Sequence, residues 1–413
     1  MQRIVKQDRS KAGARIHLSP PRAVIGLEAE FSLIINDVRQ LPEKIFGTAQ
    51  KLIRRKMLPR TGRSFQLPSG GAIYFDTGVI EVATPIVELE PGCCYRATRL
   101  LWEQIHYVGE ELRRWGRRNK CRARLQGFST HYNFSFQNEH ASPERDARRL
   151  GYLLAHILPA PVMLLAANRK SSAVGVRPRG KRIEVTADFT PDAALMLGTC
   201  AFIAGVAGVA SGWPDYDLAQ VERNKIPRFA PFRLRKHSSR QGWRVTKQSL
   251  AHDPFTCDVN KAIWKLRDGR QLSLREIARE TLQPFCANIR RVGDLETLRH
   301  IEAVFEGDAR SLLDFPERPE AYDDAGHEWN WNRRRMRHWP RSAYEKVIHR
   351  VIARQPIQIA GKRYIAERMQ GWYEVVFRET KTGTRRVFNL DHLAKAARAV
   401  ALMILLVIVI VID

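Results

Sequence analysis

An alternating segment near the N-terminus constrains the fold more than any other part of the sequence. In residues 25–33, apolar side chains alternate with Gly26, Glu28, Glu30 and Ser32. Because successive side chains of a strand point to opposite faces, the pattern predicts a strand with one buried face and one polar face bearing two carboxylates. Neighbouring acids raise each other's pKa unless a cation lies beside them. The segment therefore predicts a cation near Glu28 and Glu30.

Two later segments, at residues 128–137 and 182–189, have the same alternation. Their predicted apolar faces consist of Phe128, Thr130, Tyr132, Phe134 and Phe136 in the first and Ile183, Val185, Ala187 and Phe189 in the second. Their polar faces carry Ser129, His131, Asn133 and Ser135 in the first and Arg182, Glu184, Thr186 and Asp188 in the second. A solvent-exposed face is the alternative for any one strand. Together they predict a shared cleft, since Arg182 is the single Lys or Arg on the three polar faces.

These segments predict an α+β fold. Its antiparallel or mixed sheet has one face covered by helices and a concave acidic face that forms the active site. The segment at 72–85 adds two more carboxylates, Asp76 and Glu81. Short β-like runs around a turn at 381–384 predict a small C-terminal β-containing domain.

The predicted organisation has five parts. They are a basic arm at 1–22, a main domain at 23–300, a helical Trp- and Arg-rich connector at 301–355, a small β domain at 356–392 and a hydrophobic tail at 393–413. The apolar segment 193–210 follows an N-cap, Pro and acid signal and predicts a buried core helix. The run 399–412 is short for a membrane span, so it is either a buried or pairing segment or a peripheral membrane contact.

Charge and cysteine usage narrow the partners and the compartment. With 69 Lys and Arg against 43 Asp and Glu, the net charge is +26, which favours anionic partners unless it is only a solvated basic surface. The six cysteines include the neighbours Cys93 and Cys94 and show no paired metal-ligand spacing. This usage predicts reduced thiols rather than disulfides or a zinc site. The N-terminus lacks the apolar run of a signal peptide, and we therefore expect a cytoplasmic protein.

A cleft with several carboxylates, one His and one Asn suits a hard cation with oxygen ligands, and Mg²⁺ carried with a nucleotide is favoured. The sequence has no GxxxxGK[ST] loop and no strand–GxGxxG–helix unit. A bound ATP would therefore be held by another kind of site. A glycosidase-like carboxylate pair would not need so many acids.

At the motif level, Gly26-Leu27-Glu28-Ala29-Glu30 resembles the GxExE strand of the carboxylate–amine ligase superfamily. That superfamily includes glutamine synthetase, glutamate–cysteine ligase, and the ligase and deamidase that act on the prokaryotic ubiquitin-like protein Pup. Segments at 70–85, 131–133 and 182–184 resemble the Pup enzymes or glutamate–cysteine ligases in the same order. The resemblance covers roughly 23–210. It differs at Phe31, where the Pup enzymes have Tyr, and at 77–80, which lacks their His-Pro-containing version.

The resemblance implies a glutamine synthetase-like catalytic domain at 23–300 that uses ATP and Mg²⁺. The roles that it implies are metal ligation by Glu28, Glu30, Glu81 and Glu184, catalysis by Asp76 and Arg182, and cofactor binding by His131 and Asn133. Arg177 and Arg179 are candidates for phosphate contact, with solvated loop charges as the alternative. The implied reaction joins a glutamate-like or protein or peptide carboxylate to an amine through an acyl phosphate.

Two alternatives remain from the sequence. The first is an amide hydrolase of the deamidase or depupylase kind on the same fold, in which Asp76 helps to hydrolyse an amide. The second is a non-catalytic basic protein that binds nucleic acid through its second half. For the latter, residues 329–339 interleave Trp and Arg, a pattern that fits base stacking or a structural packing cluster.

Overall fold

The computed structural model of the protein describes residues 22–136, 142–315 and 325–396. The predicted basic arm, apart from Arg22, and the hydrophobic run at 399–412 lie outside the described residues.

Strands and helices alternate along the chain. The strands are β1 Val24–Ile35, β2 Val38–Gln40, β3 Leu58–Pro59, β4 Phe65–Gln66, β5 Ala72–Asp76, β6 Val79–Ala83, β7 Val87–Glu88, β8 Ala123–Ser135, β9 Ala173–Arg179, β10 Arg182–Asp188, β11 Arg235–Ser238, β12 Gly242–Thr246, β13 Trp264–Lys265, β14 Gln271–Leu272, β15 Ile357–Ile359, β16 Lys362–Gln370, β17 Glu374–Glu379 and β18 Arg385–Asn389. The helices are α1 Pro42–Phe46, α2 Ala49–Leu52, α3 Cys93–Arg118, α4 Pro143–Ile157, α5 Pro159–Ala166, α6 Ala193–Ala210, α7 Leu218–Arg223, α8 Leu274–Leu282, α9 Cys286–Val292, α10 Leu295–Glu306, α11 Arg333–His338 and α12 Ala343–Ile352, with 3₁₀ turns at Gln283–Phe285 and Leu312–Asp314.

The large sheet confirms the predicted antiparallel architecture. It has 12 strands in the described ranges, in the order β11-β12-β9-β10-β8-β1-β6-β5-β4-β3, with β2 and β7 pairing the ends of β1. The three strands that share the alternating pattern are adjacent, because β1 pairs with β8 and β8 with β10, both antiparallel. The fold is therefore α+β, with a large sheet, helices and a separate small C-terminal sheet.

One face of the large sheet is packed against helices. Leu27, Ala29 and Phe31 of β1 are fully buried on this face, where α3 contacts β1, β6 and β8. Behind α3 lies α6, which confirms the predicted core helix at 193–210. By length and composition α6 is long and apolar enough to cross a membrane, and the bent pair of α4 and α5 would pass the same test as one span. In this protein, 83% of the α6 helix is buried.

Strand β8 corrects one detail of the predicted faces. The register with β1 shifts at Glu30, which faces Ser129, and Phe31, which faces Gly127, so Phe128 is an extra residue in a β-bulge. Phe128 is 55% exposed and does not belong to the apolar face. The prediction was wrong because a bulge inverts the alternation of faces along the strand. Leu125 and Tyr132 are both buried although they are an odd number of residues apart, and this spacing of apolar residues indicates the bulge.

The small sheet has the order β15-β16-β17-β18 and its own hydrophobic core. Helix α12 packs in this core through Ile348 and Val351. The core also includes Leu58 of β3, at the edge of the large sheet. The small sheet is therefore packed against the edge strand of the large one.

Candidate active site

The polar face of the large sheet brings the predicted acids together. Cross-strand pairing places Glu28 opposite His131, Glu30 opposite Glu81, and Glu184 opposite Asn133. Directly opposed residues of an antiparallel pair lie on the same face, about 4.5–5.5 Å apart at Cβ. Four strands, β1, β6, β8 and β10, thus build one cluster, which we call the acidic cluster: Glu28, Glu30, Glu81, Glu184 and His131.

His131 lies in the middle of this cluster. Its Nδ1 is 3.6 Å from Glu28 Oε2 and 3.9 Å from Glu184 Oε1, and its Nε2 is 3.8 Å from Glu30 Oε1. Ser129 donates a 2.6 Å hydrogen bond to Glu30 Oε2 and fixes that carboxylate. The His131 imidazole and the neighbouring arginines thus supply positive charge of the kind that the sequence predicts beside Glu28 and Glu30.

The same residues form a plausible cation site. One carboxylate oxygen each of Glu28 and Glu81 and one ring nitrogen of His131 lie within 4.8 Å of one another. Glu28 and Glu81 are buried at 9% and 4% exposure, so few water molecules compete for them. Two carboxylates with further acids alongside suit Mg²⁺ or Mn²⁺, and the imidazole suits Mn²⁺ better than Mg²⁺. The donor set therefore fits a divalent cation.

Burial and mutual charge shift the pKa values in the cluster in opposite directions. Burial raises the pKa of Glu28, but contact with His131, the charge of Arg182 and the Asn133 amide together bring it below its usual value. Burial and the charge of Glu28 raise the pKa of Glu81 to about 8. Burial lowers the pKa of His131, yet Glu28, Glu184 and Glu30 outweigh it and raise the value to about 9. Both shifts favour the protonated forms of His131 and Glu81 in the protein by itself.

Arginines border the cluster on the β9–β10 side. Arg177 donates to the buried Glu184 carboxylate, and Arg179 Nε lies 3.7 Å from the other oxygen of Glu184. Arg182 is close enough to lower the pKa of Glu28. Asn133 is 7% exposed, and its amide is close enough to Glu28 to help lower the pKa of that carboxyl. An amide has two N–H donors and an acceptor oxygen, so Asn133 can also bond a ligand that binds beside Glu28.

A cavity of about 320 Å³ adjoins the cluster. Its lining includes Glu28, Asn133 and Arg182 from the large sheet and Trp372 and Tyr373 from the small domain. A cavity of this volume matches the lower end of small-molecule sites, about 300–1,000 Å³. The small domain, in which the sequence shows no chemistry, therefore contributes to the candidate site.

Sequence reasoning also missed Arg60 and Tyr74. Arg60 is 7% exposed, and its guanidinium bonds Gln66 Oε1 at 2.6 Å and the carbonyl of Gly371 at 3.0 Å. Burial lowers the pKa of Arg60 to about 10, against the charges of Tyr74 and Glu28. Tyr74 lies opposite Glu81 and donates to its carboxylate, and burial raises the pKa of the phenol. The alternation in β5 placed Tyr74 beside Glu81, but Arg60 directly follows the two-residue edge strand β3, which is too short to show a periodic pattern.

Asp76 lies apart from the acidic cluster. It pairs with Val79 at the end of the β5–β6 hairpin, two residues along the strand from Tyr74, and its side chain is exposed. The hydroxyl of Thr77 contacts it at 3.4 Å. The structure thus brings nine of the ten predicted site residues to one region and leaves Asp76 on the same face at its rim.

Comparisons with known proteins give matches among solved structures. No family model matches the sequence, and no curated protein matches it. The fold is similar to a solved structure described as the complex between the prokaryotic ubiquitin-like protein Pup and its ligase PafA. The similarity has a TM-score of 0.47 and 11% sequence identity and covers 91% of this chain and 92% of that chain.

Proposed function

We propose that this protein is an ATP- and Mg²⁺-dependent ligase that joins a carboxylate to an amine. The observation that carries the proposal is the convergence of ligand atoms of Glu28, Glu81 and His131 within 4.8 Å on a buried polar sheet face, next to a small-molecule-sized cavity. The order of the four motifs along the sequence agrees with this assignment.

The proposed reaction has two steps. A carboxylate oxygen of the first substrate attacks the γ-phosphorus of ATP, the bond to the β-phosphate oxygen breaks, and ADP leaves. The amine nitrogen of the second substrate then attacks the acyl carbon, and inorganic phosphate leaves as the amide forms. The amine loses a proton in this step, which Asp76 at the rim of the face would accept. A bound divalent cation would neutralise phosphate charge, as is usual in phosphoryl transfer.

Each residue of the site has a role in this proposal. Glu28 and Glu81, with Glu30 and Glu184 beside them, would hold the cation, and His131 would stay within reach of the phosphates. Arg182 would stabilise charge on the transferring phosphoryl group, since fixed guanidinium groups in a site of low polarity do this well. Arg177 and Arg179 contact Glu184 and would border the path of the phosphates.

The cavity between Glu28 and Trp372 is the proposed position of the nucleotide base and ribose. Trp372 and Tyr373 give it aromatic walls, and the buried Asn133 amide also lines it. The carboxylate substrate would then enter from the hairpin end, where Asp76 is exposed. A protein or peptide side chain or a glutamate-like acid fits an opening of this kind.

The test is ADP release from Mg²⁺-ATP in the presence of glutamate-like acids or acidic peptides and amines, measured for the intact protein and for Glu28→Gln. We expect release that depends on both substrates in the intact protein and a loss of roughly 100-fold or more in the variant. Glu306→Gln, which changes an exposed acid at the end of α10, is the matched control and should behave as the intact protein.

Two results would refute the ligase assignment. Equal turnover in Glu28→Gln and Glu306→Gln would exclude the acidic cluster as the site of reaction. Cleavage of an amide without net ATP consumption would assign the same site to hydrolysis instead.

A further inference from the structure

A second cavity lies between the helices that cover the apolar face of the sheet. It has a volume of about 1250 Å³ and lies between α9, α10 and α11. Its walls carry five exposed arginines, and we call it the arginine groove: Arg290, Arg291, Arg299, Arg334 and Arg337. Because α9 packs on α6 and α3, the groove is on the opposite side of the sheet from the acidic cluster. It is therefore separate from the proposed active site.

The two acids of the groove already have partners. Arg335 Nε and Nη2 bond the Asp294 carboxylate at 2.9 and 3.0 Å, and Arg335 Nη1 lies 2.9 Å from Glu296 Oε1. Within the described ranges, the five arginines of the groove have no carboxylate within ion-pair distance. The groove therefore presents concentrated positive charge that the protein itself does not neutralise.

The Trp- and Arg-rich stretch at 329–339 divides into a structural and an exposed half. Trp329 and Trp331 pack against the core, and the Arg335 guanidinium lies 4.7 Å from the ring centroid of Tyr95. These contacts, with the Asn332 cap, fix α11 in place. Arg334, Arg337 and His338 then project from a rigid helix into solvent at the groove. A packing cluster thus explains only the buried members of this stretch.

We propose that the arginine groove binds the phosphate backbone of single-stranded nucleic acid. All of its unpaired cations are arginines, whose planar guanidinium groups bind phosphate oxygens in pairs. Its volume of about 1250 Å³ exceeds the roughly 300–1,000 Å³ of ordinary small-molecule pockets, so the groove has room for an extended ligand. The exposed His338 ring, beside Trp339, offers a surface for base stacking.

An acidic peptide fits the groove less well. Stable peptide docking generally depends on apolar anchors in desolvated pockets. The apolar lining of the groove is Pro91, Ala287, Leu295 and Trp339, whose half-buried ring packs against the protein core, and the lining residues that carry charge are mainly arginines. The phosphate assignment depends on the charge, volume and lining of the groove and is independent of the proposed ligase activity.

The experiment measures binding of a fluorescent 20-nucleotide oligo(dT) to the full chain over a series of salt concentrations. Five phosphate contacts predict a slope of log K against log[salt] of about −3.5. Arg290→Gln/Arg291→Gln should reduce that slope by about 1.4 and weaken binding roughly tenfold at fixed salt. The matched control is Arg117→Gln/Arg118→Gln. Like Arg290 and Arg291 at the end of α9, Arg117 and Arg118 are adjacent exposed arginines in the last turn of a helix, here α3.

The control pair and Glu28→Gln should bind as the intact protein does. Equal loss of affinity in both arginine pairs would overturn the proposal, because the charge would then act without a specific groove. Displacement of the oligonucleotide by poly-glutamate at equal charge concentration would also overturn it and assign the groove to acidic proteins. So would the absence of salt-dependent binding.

Discussion

The guanidinium carbon of Arg60 lies 4.1 Å from the centroid of the Trp372 ring. Arg60 belongs to the edge of the large sheet, and Trp372 belongs to the turn between β16 and β17 of the small one. The backbone of Thr61 also bonds the carbonyl of Met369 at 3.1 Å. These contacts hold Trp372 over the cavity beside Glu28, so the small domain is positioned by a buried cation of the large one.

Removal of the Trp372 ring should weaken ATP binding more than turnover. We expect Trp372→Ala to raise the KM for ATP roughly tenfold, because loss of one aromatic wall is worth about 1.4 kcal/mol. The kcat should change by less than about twofold, since the ring does not reach the reacting atoms. Steady-state kinetics would measure both constants. Phe388→Leu, in the small domain but outside the cavity, is the control, and an equal KM change there would contradict the assignment.

Loss of the Arg182 charge should lower kcat rather than raise the KM for ATP. Arg182→Gln should lower kcat by roughly 100-fold and leave the ATP-induced rise in melting temperature in place, because the charge is needed most in the transition state. Arg182→Lys should recover part of the rate. The neighbouring exposed Lys181→Gln is expected to be neutral. If Arg182→Gln instead raised the KM for ATP and left kcat unchanged, the role of Arg182 would be ground-state binding.

His156 should make stability depend on pH. Burial and the charges of Arg228 and Arg267 lower its pKa to about 4, from an ordinary value of 6.5. The unfolded chain therefore binds a proton between pH 6.5 and 4 that the folded protein does not, so folding stability should fall as pH falls through this window. The expected loss over the whole window is about 3 kcal/mol.

Urea unfolding of the intact protein and of His156→Phe at pH 7 and pH 4.5 would measure this effect. Phe preserves the ring contacts with Tyr152 and Phe232, whose centroids are each 4.9 Å away. From pH 7 to pH 4.5 the intact protein should lose more stability than the variant. Any advantage of the intact protein at pH 7 should therefore become smaller at pH 4.5, or the variant should become the more stable of the two. A difference independent of pH would show that His156 is not the group responsible.

Gly127 should not tolerate a side chain. A Cβ at this position would lie 2.2 Å from Phe189 Cδ1 and 2.7 Å from Phe189 Cγ. We expect Gly127→Ala to lower the free energy of unfolding by about 2 kcal/mol, the usual cost of overpacking a core. Gly212→Ala, whose added Cβ would meet Val209 O at 3.5 Å, is the control and should change stability by less than 1 kcal/mol, roughly. Chemical denaturation would compare the two, and Phe189→Leu should partly restore Gly127→Ala.

Alternation along the sequence was sufficient to predict the sheet and most of the site. Glu28, His131 and Glu184 each lie at a polar position of an alternating strand, and neighbouring strands of this kind must place such positions on one face. The pattern carries this information because burying one face fixes the register of the strands.

The rest of the site depends on contacts between distant segments. Arg60 and Trp372 are 312 positions apart in the chain, and neither lies in a periodic pattern. Their proximity follows from packing of the small sheet against β3, which local sequence does not encode. Asp76 lies in a periodic strand, and the alternation places it on the predicted polar face. The hairpin turns directly after this residue, however, and leaves its side chain exposed at the rim.

The bulge at Phe128 determines where β8 can change length. If Phe128 were deleted, Ser129 could still face Glu30 and Gly127 could still face Phe31, so the strand would regain regular pairing with His131 on the polar side. Deletion of a paired neighbour such as Thr130 would instead turn the following residues onto the wrong face. Evolution or design can therefore shorten this central strand at the bulge while its polar residues stay on the site face and its apolar residues stay on the core face.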